Sequence, residues 1–86
     1  MNKTLLAVKC AEYVNTHFQP KKHPREFPMV ERSLRAMLSR SFVRGVQSLA
    51  EVMDNPQLVQ LCDDVVSLND SDLDTFTKTG TLPSGN

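Results

Sequence analysis

Residues 28–53 read PMVERSLRAMLSRSFVRGVQSLAEVM and carry the longest helical pattern in the chain. Their apolar side chains recur at intervals of one, three and four residues, which is the spacing of one helix face. These side chains are Val30, Leu34, Met37, Leu38, Phe42, Val46, Leu49 and Met53. The pattern predicts that this central stretch is helical and that these residues face the core.

The predicted apolar face changes direction part-way along the central stretch. At about 100° per residue, the apolar group around Leu34 points roughly a third of a turn away from the group around Val46. One long helix that bends around a core would explain this drift, and so would two helices. We expect the break or bend at Ser39–Ser41, because Ser41 can cap a second helix there. Gly45 is the other position that could take up a kink.

The segment before the central stretch divides into a helix and a connector. Residues 3–18 show an amphipathic helical pattern, which Asn2 or Thr4 can cap. Residues 19–28 then read QPKKHPREFP, in which three prolines disfavour helix, so we expect an extended connector. The basic side chains of this connector are Lys21, Lys22, His23 and Arg25.

Two further helices are expected after the central stretch. Asn55–Pro56 starts the first of them, because Asn is a favoured cap and Pro a favoured first helical residue. A short last helix is expected over residues 72–78. Ser71 would begin it in an approximate capping box with Asp74, and Gly80 would end it.

The composition fits one small all-α domain. Its 86 residues suffice for a single core, and 40% apolar with 23% charged residues are typical of a folded domain. The core must rest on Leu, Val, Met and Ala, because the chain has one Tyr, four Phe and no Trp. We predict a bundle or orthogonal array of four helices with a possible short fifth helix over residues 1–80, and a flexible tail over residues 81–86.

The net charge of zero conceals a division between the two halves of the chain. Residues 1–50 hold nine Lys and Arg residues against three acids, whereas residues 51–86 hold seven acids against Lys78. The halves could neutralise each other within the fold, associate head to tail between copies, or offer one charged face to a partner. Solvated charges with little consequence are the remaining alternative.

The cysteines and the N-terminal segment indicate the cellular compartment in which we expect the protein. Cys10 and Cys62 both fall on apolar helix faces, which predicts buried free thiols and a reducing compartment. Lys9 and Glu12 interrupt the early apolar run, which is too short for the apolar core of a signal peptide. No stretch approaches the roughly 18 apolar residues of a membrane span. We therefore expect a cytoplasmic protein without membrane contact.

Three patterns resemble functional motifs but lack residues that those motifs need. The stretch around Asp54 suggests a helix-turn-helix, but its second helix would carry Asp63 and Asp64 and no basic residue to meet phosphates. Residues 70–75, DSDLDT, lack the Gly and Glu of a calcium loop and suit a helix N-terminus instead. The third pattern is the possible zinc-ligand set Cys10, His17, His23 and Cys62, in which no two residues have the spacing of a zinc site.

The arginines of the central stretch are the remaining functional candidate. Arginine binds carboxylates and phosphates with two parallel hydrogen bonds. The chain has no nucleophile–base signature and no phosphate-binding loop, so we predict no enzyme, no cofactor and no metal site. Our first hypothesis is a non-enzymatic protein–protein interaction module, which would be a small regulator, inhibitor or adaptor. The predicted partner-binding residues are Lys21, Lys22, Arg25, Arg32, Arg35, Arg40 and Arg44.

Two further hypotheses concern the partner. A nucleic-acid-binding regulator could use the same basic surface, although the acidic half and the few aromatic residues argue against it. A homodimer could form through apolar side chains left over on the central helix, such as Met29, Met37 or Val43.

Overall fold

The computed structural model describes residues 1–18 and 28–83, and every regular element in them is an α-helix. The helices are α1 (Lys3–His17), α2 (Pro28–Val52), α3 (Pro56–Val66) and α4 (Asp70–Thr79). The predicted all-α fold of four helices is confirmed. α2 packs against each of the other three helices. The predicted extended connector lies outside the described residues as far as residue 27.

α2 is one uninterrupted helix, so of the break or bend expected at Ser39–Ser41 the break is wrong. Ser39 remains helical, since its hydroxyl donates a hydrogen bond to the carbonyl oxygen of Arg35 at 2.9 Å. Ser41 lies in mid-helix and caps nothing. Because the central stretch forms one helix, the short last helix is the fourth helix of the fold rather than a fifth.

The buried face of α2 differs from the face that the apolar pattern predicts. Its buried side chains are Ala36, Ser39, Val43, Gln47 and Ala50. Three of these five, Ala36, Ser39 and Ala50, are small side chains, which favour close packing of a neighbouring helix. Of the predicted face, Leu34, Leu38, Phe42 and Val46 are partly buried against the core, whereas Met37, Leu49 and Met53 are largely exposed. Val43 is fully buried, so its predicted place on a homodimer surface is wrong.

Asparagine caps begin α1 and α3; Asn2 is one of the two caps that the sequence allows for α1, and Asn55 is the predicted cap of α3. The Asn2 side chain accepts a hydrogen bond from the backbone N–H of Leu5 at 2.8 Å. The Asn55 side chain accepts one from Leu58 at 3.2 Å, and Pro56 follows as the first helical residue. Each cap satisfies an N–H that lacks a partner within its helix.

α4 begins earlier than predicted and ends where predicted. Its cap is Asn69 rather than Ser71, because the Asn69 side chain accepts from the backbone N–H of Asp72 at 2.8 Å. Gly80 ends the helix in the left-handed conformation with φ of 74°. A Cβ atom at Gly80 would lie 3.5 Å from the Cα of Thr4, so the end of α4 packs close to the start of α1.

The core draws side chains from all four helices. The largest fully buried ones are Leu6, Cys10, Val14, Val43, Cys62, Val65, Leu73 and Phe76. Both cysteines are buried and free, which confirms that prediction. Leu82, in the segment predicted as a tail, is partly buried against this core. Residues 84–86 lie outside the described residues.

The turn from α2 to α3 is a Schellman motif with Asp54 in the position that usually holds glycine. The N–H of Asn55 donates to the carbonyl of Ala50 at 2.9 Å, and the N–H of Asp54 donates to that of Glu51 at 3.1 Å. Asp54 has φ of 54°, a left-handed conformation that costs free energy in residues with a Cβ. A carboxylate at a helix C-terminus is also disfavoured by the helix dipole.

Replacing Asp54 with glycine is therefore expected to raise the free energy of unfolding by about 0.5–1 kcal/mol. Urea denaturation followed by circular dichroism measures the change. The Asp54→Asn variant removes the charge but keeps the Cβ, so it should gain only about 0.3 kcal/mol. A glycine variant less stable than the parent would contradict the strain assigned to this turn.

Candidate functional site

The structure divides the predicted arginines of α2 into two pairs. Arg32 and Arg35 lie near the start of the helix, one turn apart. Arg40 and Arg44 lie further along and reach toward α3 and α4. The other predicted contact residues, Lys21, Lys22 and Arg25, lie outside the described residues.

Arg40 is bound inside the fold. Its guanidinium donates to the carbonyl oxygens of Val66 at 3.4 Å and Leu68 at 2.9 Å, and it pairs with the Asp70 carboxylate at 2.9 Å. The end of a helix leaves carbonyl groups without intrahelical partners, and Arg40 satisfies those at the end of α3. Asp70 begins α4, where the helix dipole favours its charge. Arg40 therefore joins α2 to the corner between α3 and α4.

Arg44 also contacts its own fold, but loosely. Its guanidinium donates to the side-chain oxygen of Gln47 and lies 3.6 Å from the Asp63 carboxylate. Both charged side chains are more than half exposed, so their pair adds little stability. The Arg40 and Arg44 pairs both join the basic half of the chain to its acidic half. The sequence left open whether the basic and acidic halves attract each other within the fold. For these two arginines they do.

Arg35 is oriented by neutral groups. Its guanidinium donates to the side-chain oxygen of Asn15 at 3.1 Å, and its central carbon lies 5.7 Å from the centre of the Phe18 ring. Neither neighbour carries a negative charge, so they hold the guanidinium in place without neutralising it. Arg32 is exposed and makes no ion pair within residues 1–18 and 28–83. We call Arg32 and Arg35 the arginine pair.

A polar cleft of about 320 Å³ lies beside the arginine pair. The side chains that line it are Glu31, Arg32, Arg35, Asp74 and Lys78. The Lys78 ammonium nitrogen lies 2.9 Å from a carboxylate oxygen of Asp74, so one of the two acids already has a cation as its partner. Three cations against two carboxylates leave this surface with a positive excess, which attracts an acidic group.

An apolar groove between α1 and α2 escaped the sequence analysis. It has a volume of about 330 Å³ and is lined by Tyr13, Ser41, Phe42, Gly45, Val46 and Leu49. The rings of Tyr13 and Phe42 meet at its side, with their centres 5.3 Å apart. Of the groove residues that the sequence assigned to the core-facing side of the helix, Phe42 and Val46 are partly buried against the core and Leu49 is exposed. Periodicity identifies a helix face but not how much of that face is covered.

The buried thiols are poorly suited to chemistry at neutral pH. Burial raises the pKa of Cys10 and that of Cys62 above the ordinary value of 9.0, while the nearby charge of Arg44 partly opposes this rise at Cys62. The reactive form of cysteine is the thiolate, which both environments disfavour. In the described parts of the chain, no three His, Cys, Asp or Glu side chains converge as a metal site.

Comparison with known proteins adds no assignment. No family model, no curated protein and no solved structure matches the chain. Among the described residues, no helix combines the length and the hydropathy needed to cross a membrane. The assignment of function therefore rests on the geometry of the described surface.

Proposed function

We propose that this chain is a non-enzymatic protein-interaction module, a small regulator, inhibitor or adaptor, whose arginine pair docks onto an acidic surface of another protein. The basic connector residues Lys21, Lys22 and Arg25 directly precede α2 in the sequence and would extend the same surface. Of the seven contact residues predicted from the sequence, the proposal puts the arginine pair at the centre. Arg40 is bound within the fold, and Arg44 is exposed and only loosely paired with Asp63.

The observation that carries this proposal is the orientation of Arg35 by uncharged groups. The hydrogen bond to Asn15 and the Phe18 ring hold the guanidinium in one place, so less side-chain entropy is lost when a partner binds it. Its charge stays available because neither contact is acidic. Arginine anchors of this kind are enriched among the residues that contribute most to protein interfaces.

The chemistry of the cleft favours a protein carboxylate over a run of phosphates. Glu31 and Asp74 line the cleft beside the arginine pair and would repel a continuous polyanion. A single acidic side chain can reach the guanidinium groups and leave those carboxylates solvated. The exposed face of α3, with Asp63 and Asp64, offers no second basic surface for nucleic acid.

Replacing both Arg32 and Arg35 with alanine is expected to weaken partner binding at least about tenfold. The tagged chain is used to capture partners from host lysate, with and without nuclease, and captured proteins are quantified. The matched control replaces Lys3 and Lys9 with alanine, which removes the same charge from α1. Circular dichroism confirms that both variants remain folded.

The outcomes separate the proposal from its alternatives. A stoichiometric protein that survives nuclease and is lost only with the arginine-pair variant supports it. Nucleic acid recovered with a steep log-linear dependence on salt would replace it with the nucleic-acid-binding regulator. If the arginine-pair variant retains everything that the parent binds, the basic surface is solvated and the proposal is wrong.

A further inference from the structure

The fold leaves one acid of the polar cleft without a cation. Glu31 is partly buried and lines the cleft, and its carboxylate makes no ion pair within residues 1–18 and 28–83. The other acid of the cleft, Asp74, is bound by Lys78. The open charges of the cleft are therefore the Glu31 carboxylate and the guanidinium groups of the arginine pair.

The contacts of Arg35 account for the unpaired Glu31. The two residues lie four apart on α2, and an acid one turn before a base normally attracts it along the helix surface. Arg35 instead donates a hydrogen bond to Asn15 on α1 and lies over the Phe18 ring. The packing of α1 therefore keeps apart two charges that could pair within α2, and both stay open to a partner.

An acidic group alone fits these open charges poorly. A carboxylate that approaches the arginine pair also approaches Glu31, and the repulsion grows as docking excludes water. A basic group on the same partner would remove this repulsion by meeting Glu31. Because Glu31 and Arg35 are about 6 Å apart along the axis of α2, the acid and the base of the partner need a similar separation.

We propose that the cleft binds a protein surface that carries an acid and a base about 6 Å apart, with the acid on the arginine pair and the base on Glu31. A helix with the two residues one turn apart on one face provides this separation. The proposal rests on the proposed function and adds the chemistry of the partner. Glu31 then selects a surface of mixed charge over a polyanion, which has no cation to offer it.

Two alanine-based helical peptides of identical composition test the spacing. The matched peptide carries a central Glu with Lys one turn before and one turn after it, so the pair is presented in either direction of the helix. The shuffled peptide carries each Lys two residues from the Glu, on the opposite helix face. NMR titration of the full chain measures both dissociation constants, and the matched peptide should bind at least about threefold more tightly.

Replacing Glu31 with glutamine removes the carboxylate and nearly keeps the size of the side chain. The Glu31→Gln variant should bind the two peptides equally. It should also bind heparin, a defined polyanion, more tightly and elute from a heparin column at higher salt. The control Glu51→Gln removes the same charge from an exposed residue outside the cleft, and it should keep the preference for the matched peptide and raise the elution salt less.

Three results would overturn the proposal. Equal binding of the two peptides by the parent, or no binding of either at about 5 mM, would show that the cleft does not read this spacing. A Glu31→Gln variant that keeps the preference would show that Glu31 does not meet the base. A heparin affinity no higher than that of Glu51→Gln would remove its role against polyanions. The proposed function is judged separately, on the protein captured with and without the arginine pair, so the two can fail independently.

Discussion

Replacing Phe76 with alanine is expected to lower the free energy of unfolding by about 3–5 kcal/mol, the largest effect that we expect from a single substitution in this chain. Phe76 is fully buried and brings α4 into the core shared by all four helices. Truncation removes the apolar contacts of the ring and leaves a cavity that the surrounding helices fill only in part. The total free energy of unfolding of a domain of this size is only about 4–13 kcal/mol, so the variant would be close to unfolding.

Urea denaturation followed by circular dichroism measures this loss as a shift of the transition midpoint. The conservative variant Phe76→Leu keeps most of the apolar volume and should cost less than about 1.5 kcal/mol. Met37→Ala serves as the surface control, because Met37 is 62% exposed, and its effect should stay within about 0.5 kcal/mol. An effect of Phe76→Ala no larger than that of Met37→Ala would mean that α4 does not pack into the core as described.

Replacing Arg40 with alanine is expected to lower the free energy of unfolding by about 2 kcal/mol. The substitution removes the donors for the carbonyl groups of Val66 and Leu68 and leaves the Asp70 carboxylate without its cation. These groups are partly shielded from water by the fold, so solvent only partly replaces the lost hydrogen bonds. Arg40→Lys keeps the charge but cannot reach several acceptors with one planar group, and it should recover less than half of the loss.

Arg44→Ala is the matched control for this prediction. Arg44 also pairs with an acid across the basic and acidic halves, but its partner Asp63 is 3.6 Å away and both side chains are largely exposed. The Arg44→Ala substitution should lower the free energy of unfolding by less than about 0.5 kcal/mol. If the Arg40 and Arg44 variants lose the same free energy, the role assigned to Arg40 at the corner of α3 and α4 is wrong. A double-mutant cycle with Asp70→Ala should give a coupling energy of about 1 kcal/mol for the Arg40 pair.

The ends of the helices could be predicted because the signals that set them are local. Asn2, Asn55 and Gly80 each act on backbone groups within a few residues, so a pattern of neighbours in the chain is enough to identify them. The misplaced start of α4 has the same local origin. Asn69 and Ser71 can both cap a helix, and Asn69 is the one that does so. The two positions are only two residues apart, and the apolar pattern does not locate a helix start that closely.

The candidate site was predictable in composition but not in arrangement. Clustering of arginine in α2 was visible in the sequence, yet nothing local distinguishes Arg40 from Arg32. Arg40 lies 30 residues from Asp70 in the chain, and only the packing of α2 against α3 and α4 brings the two together. The contacts that orient Arg35 likewise depend on where α1 lies against α2.

By itself the sequence determined the helical class of this protein, the cap at Asn55 and the glycine stop at Gly80, because these depend on interactions between near neighbours. The tertiary structure alone decided that the central stretch is one helix and which of its faces is buried. α1, α3 and α4 all pack against α2. The face of α2 that they bury includes the small side chains Ala36 and Ala50. The larger apolar side chains were displaced to its flanks, where Leu49 and Met53 remain exposed.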